Sequence, residues 1–213
     1  MEETLITPTI RTTLTALYTN PARHCHSLSH VTALLALLST HRDAFTDVPA
    51  AEAAIWFHDA IYDPVDTSTA GNELASAKLA VSMLAEHHPS LKPNRLERIW
   101  VMIEATASHC VPTHVELKVE AGAGEVRDAA MFLDMDLSIL GAGDEAYDLY
   151  VAGVRREYAH VDEESWRVGR GKVLKGFLGR QVIYHTDLFR GLFEERAREN
   201  LKRELAALES ENS

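Results

Sequence analysis

The chain has 213 residues, 46% of them hydrophobic, and a formal net charge of −11 at pH 7. This length suffices for one well-filled core and is short for two, so we expect a single domain over residues 1–213. The acidic charge argues against a broad nucleic-acid-binding surface, which would need clustered lysine and arginine, but it is compatible with a small phosphorylated substrate in a locally positive pocket. No apolar stretch reaches the roughly 18 residues of a membrane span, and the first residues lack the pattern of a signal peptide, so we expect a cytoplasmic protein without a membrane partner.

The spacing of apolar residues predicts helices along the whole chain. The first helix begins after Thr7, a typical N-cap that precedes proline, and ends before Asn20. Further helices are predicted over residues 27–40, 50–62, 72–87, 94–109, 126–140, 144–160, 163–181 and 187–209. Residues 111–124 are too irregular for a helix, and their position after His109 makes them a candidate lid. No alternating run is long enough for a sheet strand, so the sequence predicts an all-α fold.

Histidine and aspartate residues recur in several of these predicted helices. His26 and His30 are four residues apart, which places them on one face of a helix, a turn apart. His58 and Asp59 follow an apolar segment, where a buried carboxylate beside a buried imidazole is costly unless it is paired or bound to a cation. The other members of the set are Thr106, His109, Asp134 and Asp136. We expect widely separated helices to bring these side chains to one metal ion.

Each of these groups also has a purely structural interpretation. His26 and His30 could be partly exposed helix residues, and His58 and Asp59 could form a hydrogen-bonded core pair. His109 could stabilise the C-terminus of its helix, where the dipole favours imidazolium. These alternatives become less favourable when the groups are considered together.

Five blocks contain these residues in order: residues 23–31 (RHCHSLSHV), 56–62 (WFHDAIY), 72–73 (NE), 103–109 (IEATASH) and 132–141 (FLDMDLSILG). Together they resemble the HD superfamily of metal-dependent phosphohydrolases, whose signature is the order H…HD…D. The similarity is greatest to a branch of predicted phosphohydrolases without an assigned substrate. It spans roughly residues 10–208.

The resemblance implies a single HD-type helical bundle that hydrolyses a small phosphate ester, with a nucleotide or a related phosphorylated metabolite as the favoured substrate. It implies four metal ligands, namely His30, His58, Asp59 and Asp136. Such mixed imidazole and carboxylate ligation suits Mn, Fe, Co, Ni or Zn, with Mg as a further option. It also implies that His26 protonates the leaving oxygen. Glu73 is expected to act as an acid/base or to orient water, although an acidic residue is favoured at a helix start in any case.

Asp134 and Asp136 are two positions apart, so on a regular helix they point about 200° from each other and cannot bind the same metal ion. The apolar face of the predicted helix includes Leu133, Leu137 and Leu140. Asp136 falls about 60° from the middle of that face and Asp134 about 100°, so we expect Asp136 to point closer to the core and to bind the metal.

Three further roles are expected around the metal ligands. Asp134 and His109 would contact a ligand or hold a second metal ion. Thr106 and Arg155 would bind the substrate, although Arg155 could instead join helices through an ion pair.

Two other classes of function stay open. In one, the metal site binds a nucleotide as a non-hydrolytic sensor; in the other, the chain is a structural protein with a degenerate site. The intact order of the ligands argues against degeneracy. The sequence leaves the oligomeric state open, with a homodimer as one option.

Overall fold

The computed structural model describes residues 4–66, 71–120 and 124–210, and no residue in these ranges forms a strand. The prediction of an all-α fold is therefore confirmed. The described helices are α1 (Pro8–Tyr18), α2 (Leu28–Thr40), α3 (Val48–Phe57), α4 (Gly71–His87), α5 (Pro93–Ala105), α6 (Gly124–Asp136), α7 (Asp144–Glu157), α8 (Glu163–Gly179) and α9 (Asp187–Ser210), with short 3₁₀ helices at Arg42–Ala44 and Leu137–Gly141. None of these helices combines the length and apolar character needed to cross a membrane.

The chain divides into two compact units, Met1–Asp136 and Leu137–Ser213. In the first unit α3 packs against α2, α4, α5 and α6. Almost every residue of α3 is buried, as expected for a helix that is apolar on all sides. Its N-cap Asp47 accepts a hydrogen bond from the Ala50 amide at 3.0 Å, and the Asp128 carboxylate of α6 accepts one from the Asp47 amide at 2.8 Å. These contacts fix the helix that leads into His58. The prediction of a single domain stays a prediction.

Several helix ends differ from those predicted, and they lie beside the candidate site residues. α2 begins after the N-cap Ser27, whereas α3 ends at Phe57 rather than at residue 62. α5 ends at Ala105, and α6 gives way after Asp136 to the 3₁₀ helix Leu137–Gly141. The spacing of apolar residues does not show where an α-helix changes to a turn or to a 3₁₀ helix, because apolar side chains can be buried on both sides of that change. His26, His58, Asp59 and His109 therefore lie at helix ends or beyond them.

The segment predicted as a lid is irregular where the structure describes it. Residues 111–120 form a turn flanked by backbone without regular secondary structure, and the side chain of Leu117 is buried. Residues 121–123 lie outside the described ranges, and α6 already begins at Gly124. The lid function stays a prediction.

The second unit contains a buried ion pair between α8 and α9. Arg170 donates to both carboxylate oxygens of Glu204, at 2.7 and 3.0 Å, and the Tyr147 hydroxyl of α7 donates to the same carboxylate at 2.5 Å. All three residues are buried. Removing one member of such a network is costly because the remaining charge stays buried. The network therefore ties α7, α8 and α9 together.

We expect Tyr147→Phe to lower the free energy of unfolding by about 1.5–3 kcal/mol, the usual contribution of a hydrogen bond to a charged group. Burial, and then the neighbouring Glu204, raises the pKa of Tyr147. The stabilisation by the neutral phenol is complete below about pH 10, the ordinary pKa of tyrosine, and is lost as the pH rises above it. Urea unfolding measures the free energy of unfolding of both proteins. The difference in this free energy between wild type and Tyr147→Phe should therefore become smaller at alkaline pH.

Tyr158→Phe is the matched control for this change. Tyr158 packs on Trp166, with ring centroids 5.8 Å apart, and its hydroxyl makes no hydrogen bond to another described residue. Its loss should change stability by no more than about 0.5 kcal/mol. Equal destabilisation by the two substitutions would show that the hydrogen bond from the Tyr147 hydroxyl to Glu204 does not stabilise the fold.

Candidate metal centre

Four side chains from the ends of three helices meet at one point of the first unit. His30 lies in the first turn of α2, His58 caps the end of α3, Asp59 follows it, and Asp136 is the last residue of α6. His30 Nε2 lies 3.2 Å from His58 Nε2 and 3.0 Å from Asp136 Oδ1. His58 Nε2 lies 3.1 Å from Asp59 Oδ2 and 3.4 Å from Asp136 Oδ1, while His30 Nε2 and Asp59 Oδ2 are 4.0 Å apart.

These separations match those of atoms that share a metal ion. Ligand nitrogens and oxygens lie about 2.0–2.2 Å from zinc, which places neighbouring ligands about 3.0 Å apart in octahedral and about 3.4 Å apart in tetrahedral coordination. Ligand atoms of His30, His58 and Asp136 all lie within 4.8 Å of one another. Neutral imidazole nitrogens and carboxylate oxygens are acceptors that repel each other when nothing positive lies between them. The donor set therefore fits a divalent metal ion.

His58 is the most enclosed of the four residues. Its side chain is 1% exposed, and its ring meets that of Phe132 edge-on with centroids 5.8 Å apart. Nδ1 lies 2.9 Å from the carbonyl oxygen of Ile55, to which it can bond only as a donor. The proton of the neutral ring is thus held on Nδ1, and the lone pair of Nε2 faces the two carboxylates.

The pKa values of the site are set by neighbouring charges and hydrogen bonds, which outweigh this enclosure. Burial alone would lower the pKa of His58, but the carboxylates of Asp59 and Asp136 outweigh it and raise that pKa well above its usual value. Burial acts to raise the pKa of Asp59, and the charges of His58 and His26 overcome it and lower that pKa. Asp136 also has a strongly lowered pKa, because hydrogen bonds from the histidines that face it outweigh burial. Both carboxylates are ionised at neutral pH, and a proton on His58 competes with a metal ion.

Arg23 holds the backbone that carries Asp59. Its guanidinium donates to the carbonyl oxygens of Asp59, at 2.6 Å, and of Ala60, at 2.8 Å. The same group lies over the rings of Tyr18 and Tyr62, at 5.0 and 5.7 Å from their centroids. Arg23 was not among the expected site residues, although it opens the first sequence block. An arginine fixed between two aromatic rings can orient a ligand without touching the metal.

Two side chains at the start of α4 hold the next residues of the segment. The Ser76 hydroxyl accepts from the Ile61 amide at 3.0 Å and donates to the Ile61 carbonyl at 3.1 Å. The Asn72 amide makes the same pair of bonds with the backbone of Asp63, at 2.9 and 3.0 Å. The sequence hinted at this only through Asn72, which belongs to a matching block. The segment after α3 is therefore fixed by side chains where its own helix has ended.

We expect Arg23→Lys to weaken metal binding by about 10–100-fold, the usual cost of changing a residue that orients a metal ligand. Lysine keeps the charge but lacks the planar fork that reaches two carbonyl oxygens. Arg11→Lys is the control, because Arg11 also lies over an aromatic ring, that of Trp56, at 5.4 Å. Competition with a chelator of known affinity measures both variants. Equal metal affinities of the Arg23→Lys and Arg11→Lys variants would show that Arg23 does not support the metal ligands.

His109 contacts the carboxylate of Asp136 through the oxygen that does not face the other candidate ligands. Its Nε2 lies 3.0 Å from Asp136 Oδ2, whereas Asp136 Oδ1 faces His30 and His58. His109 has a φ of 50°, a left-handed conformation that costs a residue with a Cβ about 1–2 kcal/mol. This turn directs the imidazole back towards α6. The role of His109 in contacting a ligand or holding a second metal ion stays a prediction.

The helical-wheel argument about Asp134 and Asp136 is wrong on burial. Asp134 is completely buried, whereas the side chain of Asp136 is 14% exposed, which reverses the expected order. Leu137 and Leu140, which define part of the predicted apolar face, lie in the 3₁₀ helix beyond α6, where the regular rotation per residue no longer holds. Asp136 nevertheless is the aspartate whose oxygen lies beside His30 and His58.

His26 does not share a helix face with His30, so that expectation is wrong. It precedes the N-cap Ser27 of α2 in a bent segment. Its ring stacks on that of Tyr62, with centroids 4.1 Å apart, and its positive charge lowers the pKa of Asp59. His26 is therefore placed near the candidate metal ligands by a loop and an aromatic contact.

The other expected site residues make local contacts. Glu73 lies half-buried in the first turn of α4. The hydroxyl of Thr106, which is buried, donates to the carbonyl oxygen of Ile103 at 2.7 Å. In the second unit Arg155 donates to the carbonyl oxygen of Tyr158 at 2.8 Å and pairs with a glutamate of α8. The catalytic role of Glu73 and the substrate contacts of Thr106 and Arg155 stay predictions.

Known proteins offer no further guide to these residues. No protein-family model matches the chain, and neither the curated proteins nor the solved structures include a match. Support for a function comes from the convergence of His30, His58, Asp59 and Asp136 and from the order of the sequence blocks that contain them.

Proposed function

We propose that this chain is a metal-dependent phosphohydrolase of the HD superfamily that acts on a small phosphate ester, such as a nucleotide or a related phosphorylated metabolite. The observation that carries this proposal is the convergence of two imidazole nitrogens and two carboxylates in the order H…HD…D, with most separations between 3.0 and 3.4 Å.

His30, His58, Asp59 and Asp136 would hold a divalent ion of Mn, Fe, Co, Ni or Zn, with Mg as a further option. When bound, such an ion supplies Lewis acidity that offsets phosphoryl charge and makes water a better nucleophile at neutral pH. Three of the four side chains, those of His30, Asp59 and Asp136, are 14–18% exposed. A small substrate can therefore reach these three side chains from solvent.

His26 supplies the proton for the leaving oxygen in this proposal. Cys25 Sγ lies 3.2 Å from His26 Nδ1, so the protonated imidazole can donate to this sulfur through Nδ1 and keep the Nε2 proton for the leaving oxygen. Stacking on Tyr62 limits rotation of the ring. Glu73 is assigned the smaller task of orienting water.

Elemental analysis of the purified protein, followed by a panel of phosphorylated compounds with the metal found, tests the proposal. We expect roughly one equivalent or more of a divalent metal and turnover of at least one nucleotide or sugar phosphate. Metal without turnover would favour the sensor function instead. Neither metal in the protein nor activity after addition of each candidate metal would contradict both.

A further inference from the structure

A second candidate site lies at the start of α5. A cavity of about 640 Å³ there has three cationic side chains in its wall, Lys92, Arg95 and Arg98, and one carboxylate, Asp47. Its volume lies within the range of about 300–1,000 Å³ that is typical of small-molecule pockets. The lining is thus locally positive in a chain whose formal net charge is −11.

The three cations are placed where their charges are electrostatically unfavourable. Lys92 is the N-cap of α5, and Arg95 and Arg98 follow at intervals of three residues, so all three lie along one side of the helix. Like charges at this spacing repel each other, and the N-terminal end of a helix is itself positive. Such an arrangement costs stability unless negative charge compensates it.

The chain itself compensates only part of this charge. Asp47 pairs with Arg95 and lies 3.5 Å from Arg98, which is also 3.6 Å from Glu125. Lys92 forms no ion pair with any other described residue. The buried Nε of Arg95 likewise has no hydrogen-bond partner in the described part of the chain. The exposed ammonium group of Lys92 is therefore the cation at this cavity that no carboxylate of the described residues balances.

The cavity is separate from the candidate metal centre. It lies at the Pro93 end of α5, a helix of 13 residues. At 1.5 Å per residue this helix is about 20 Å long, and His109 follows its opposite end. None of the candidate metal ligands lines the cavity.

We propose that this cavity binds a phosphate-bearing small molecule as a second ligand of the protein. Guanidinium groups match phosphate oxygens in a planar, bidentate manner, and an ammonium group adds a point charge. The three cations exceed Asp47 and Glu125 by one formal charge, to which the positive end of α5 adds about half a charge, and a phosphate group has enough oxygens to accept from more than one of these cations at once. Ser90 and Asn94 add neutral polar groups to the wall. The proposal does not depend on hydrolysis at the metal centre.

Calorimetric titration of the full chain with inorganic pyrophosphate at low ionic strength tests this site. We expect saturable binding that Lys92→Glu weakens about tenfold or more, the effect expected when one charge-assisted contact is lost and reversed. Lys172→Glu is the matched control: it makes the same change in net charge at an exposed lysine of α8 in the other unit. Its affinity should equal that of the wild type.

Asp59→Asn separates this site from the metal centre, where pyrophosphate could also bind. The variant should keep the pyrophosphate affinity of the wild type. Absence of saturable binding to the wild type, equal weakening by Lys92→Glu and Lys172→Glu, or loss of binding in Asp59→Asn alone would each overturn the proposal. A lack of phosphatase activity would leave these expected results unchanged, so the two proposals fail independently.

Discussion

Asp59→Asn is expected to lower the affinity of the chain for its metal ion by more than about 100-fold, the upper end of the effect of changing a residue that only orients a ligand. Asp59 Oδ2 lies 3.1 Å from His58 Nε2, and the carbonyl of Asp59 is held by Arg23. Asparagine preserves the shape of the side chain and these backbone contacts. It removes the negative charge that attracts the cation, and an amide oxygen is a poor replacement for a carboxylate ligand.

Asp63→Asn provides the comparison for this variant. Asp63 is an exposed aspartate four residues further along the same segment, and its carboxylate accepts from the Val65 amide at 2.9 Å. We expect Asp63→Asn to retain metal as the wild type does, measured by elemental analysis after dialysis against a weak chelator. Full metal content in Asp59→Asn, together with unchanged thermal stability, would show that the four residues do not form a metal centre.

The helix interiors of this chain follow from its sequence, because burial of one face repeats with the helical period. Ile10 and Leu14 of α1 are completely buried, as their spacing predicts. Thr7 caps α1 as expected, its hydroxyl accepting from the Ile10 amide at 3.3 Å. Local sequence carries this information because a cap and an apolar stripe involve residues only a few positions apart.

The geometry of the candidate site follows less directly from the sequence. The blocks identified the residues that meet, but His58 and Asp59 meet Asp136 because α3 and α6 end where they do. Those ends depend on tertiary contacts. Arg23, for example, reaches Asp59 across 36 positions of the chain. A helical wheel describes one regular helix by itself and takes no account of such contacts. For the same reason it wrongly predicted that Asp134 is less buried than Asp136.

His26→Ala is expected to leave the metal content near that of the wild type and to lower turnover by about 10²–10⁴-fold, the usual contribution of a general acid. Its ring is held beside Tyr62 rather than between the imidazoles of His30 and His58. Loss of the His26 charge raises the pKa of Asp59, but His58 still holds that carboxyl in its ionised form at neutral pH. Metal binding therefore survives the substitution.

His24→Ala and His30→Ala distinguish a general acid from a metal ligand or a nonspecific effect. His24 is an exposed histidine two positions before His26, so its replacement should leave both metal content and turnover unchanged. His30 Nε2 lies within 3.2 Å of His58 Nε2 and within 3.0 Å of Asp136, so its replacement should lower metal content and turnover together. If His26→Ala loses the metal and His30→Ala keeps it, the roles of the two histidines are reversed. If His26→Ala keeps the metal, the alkaline limb of its pH–rate profile decides the role: a general acid must be protonated to act, so removing it abolishes that limb.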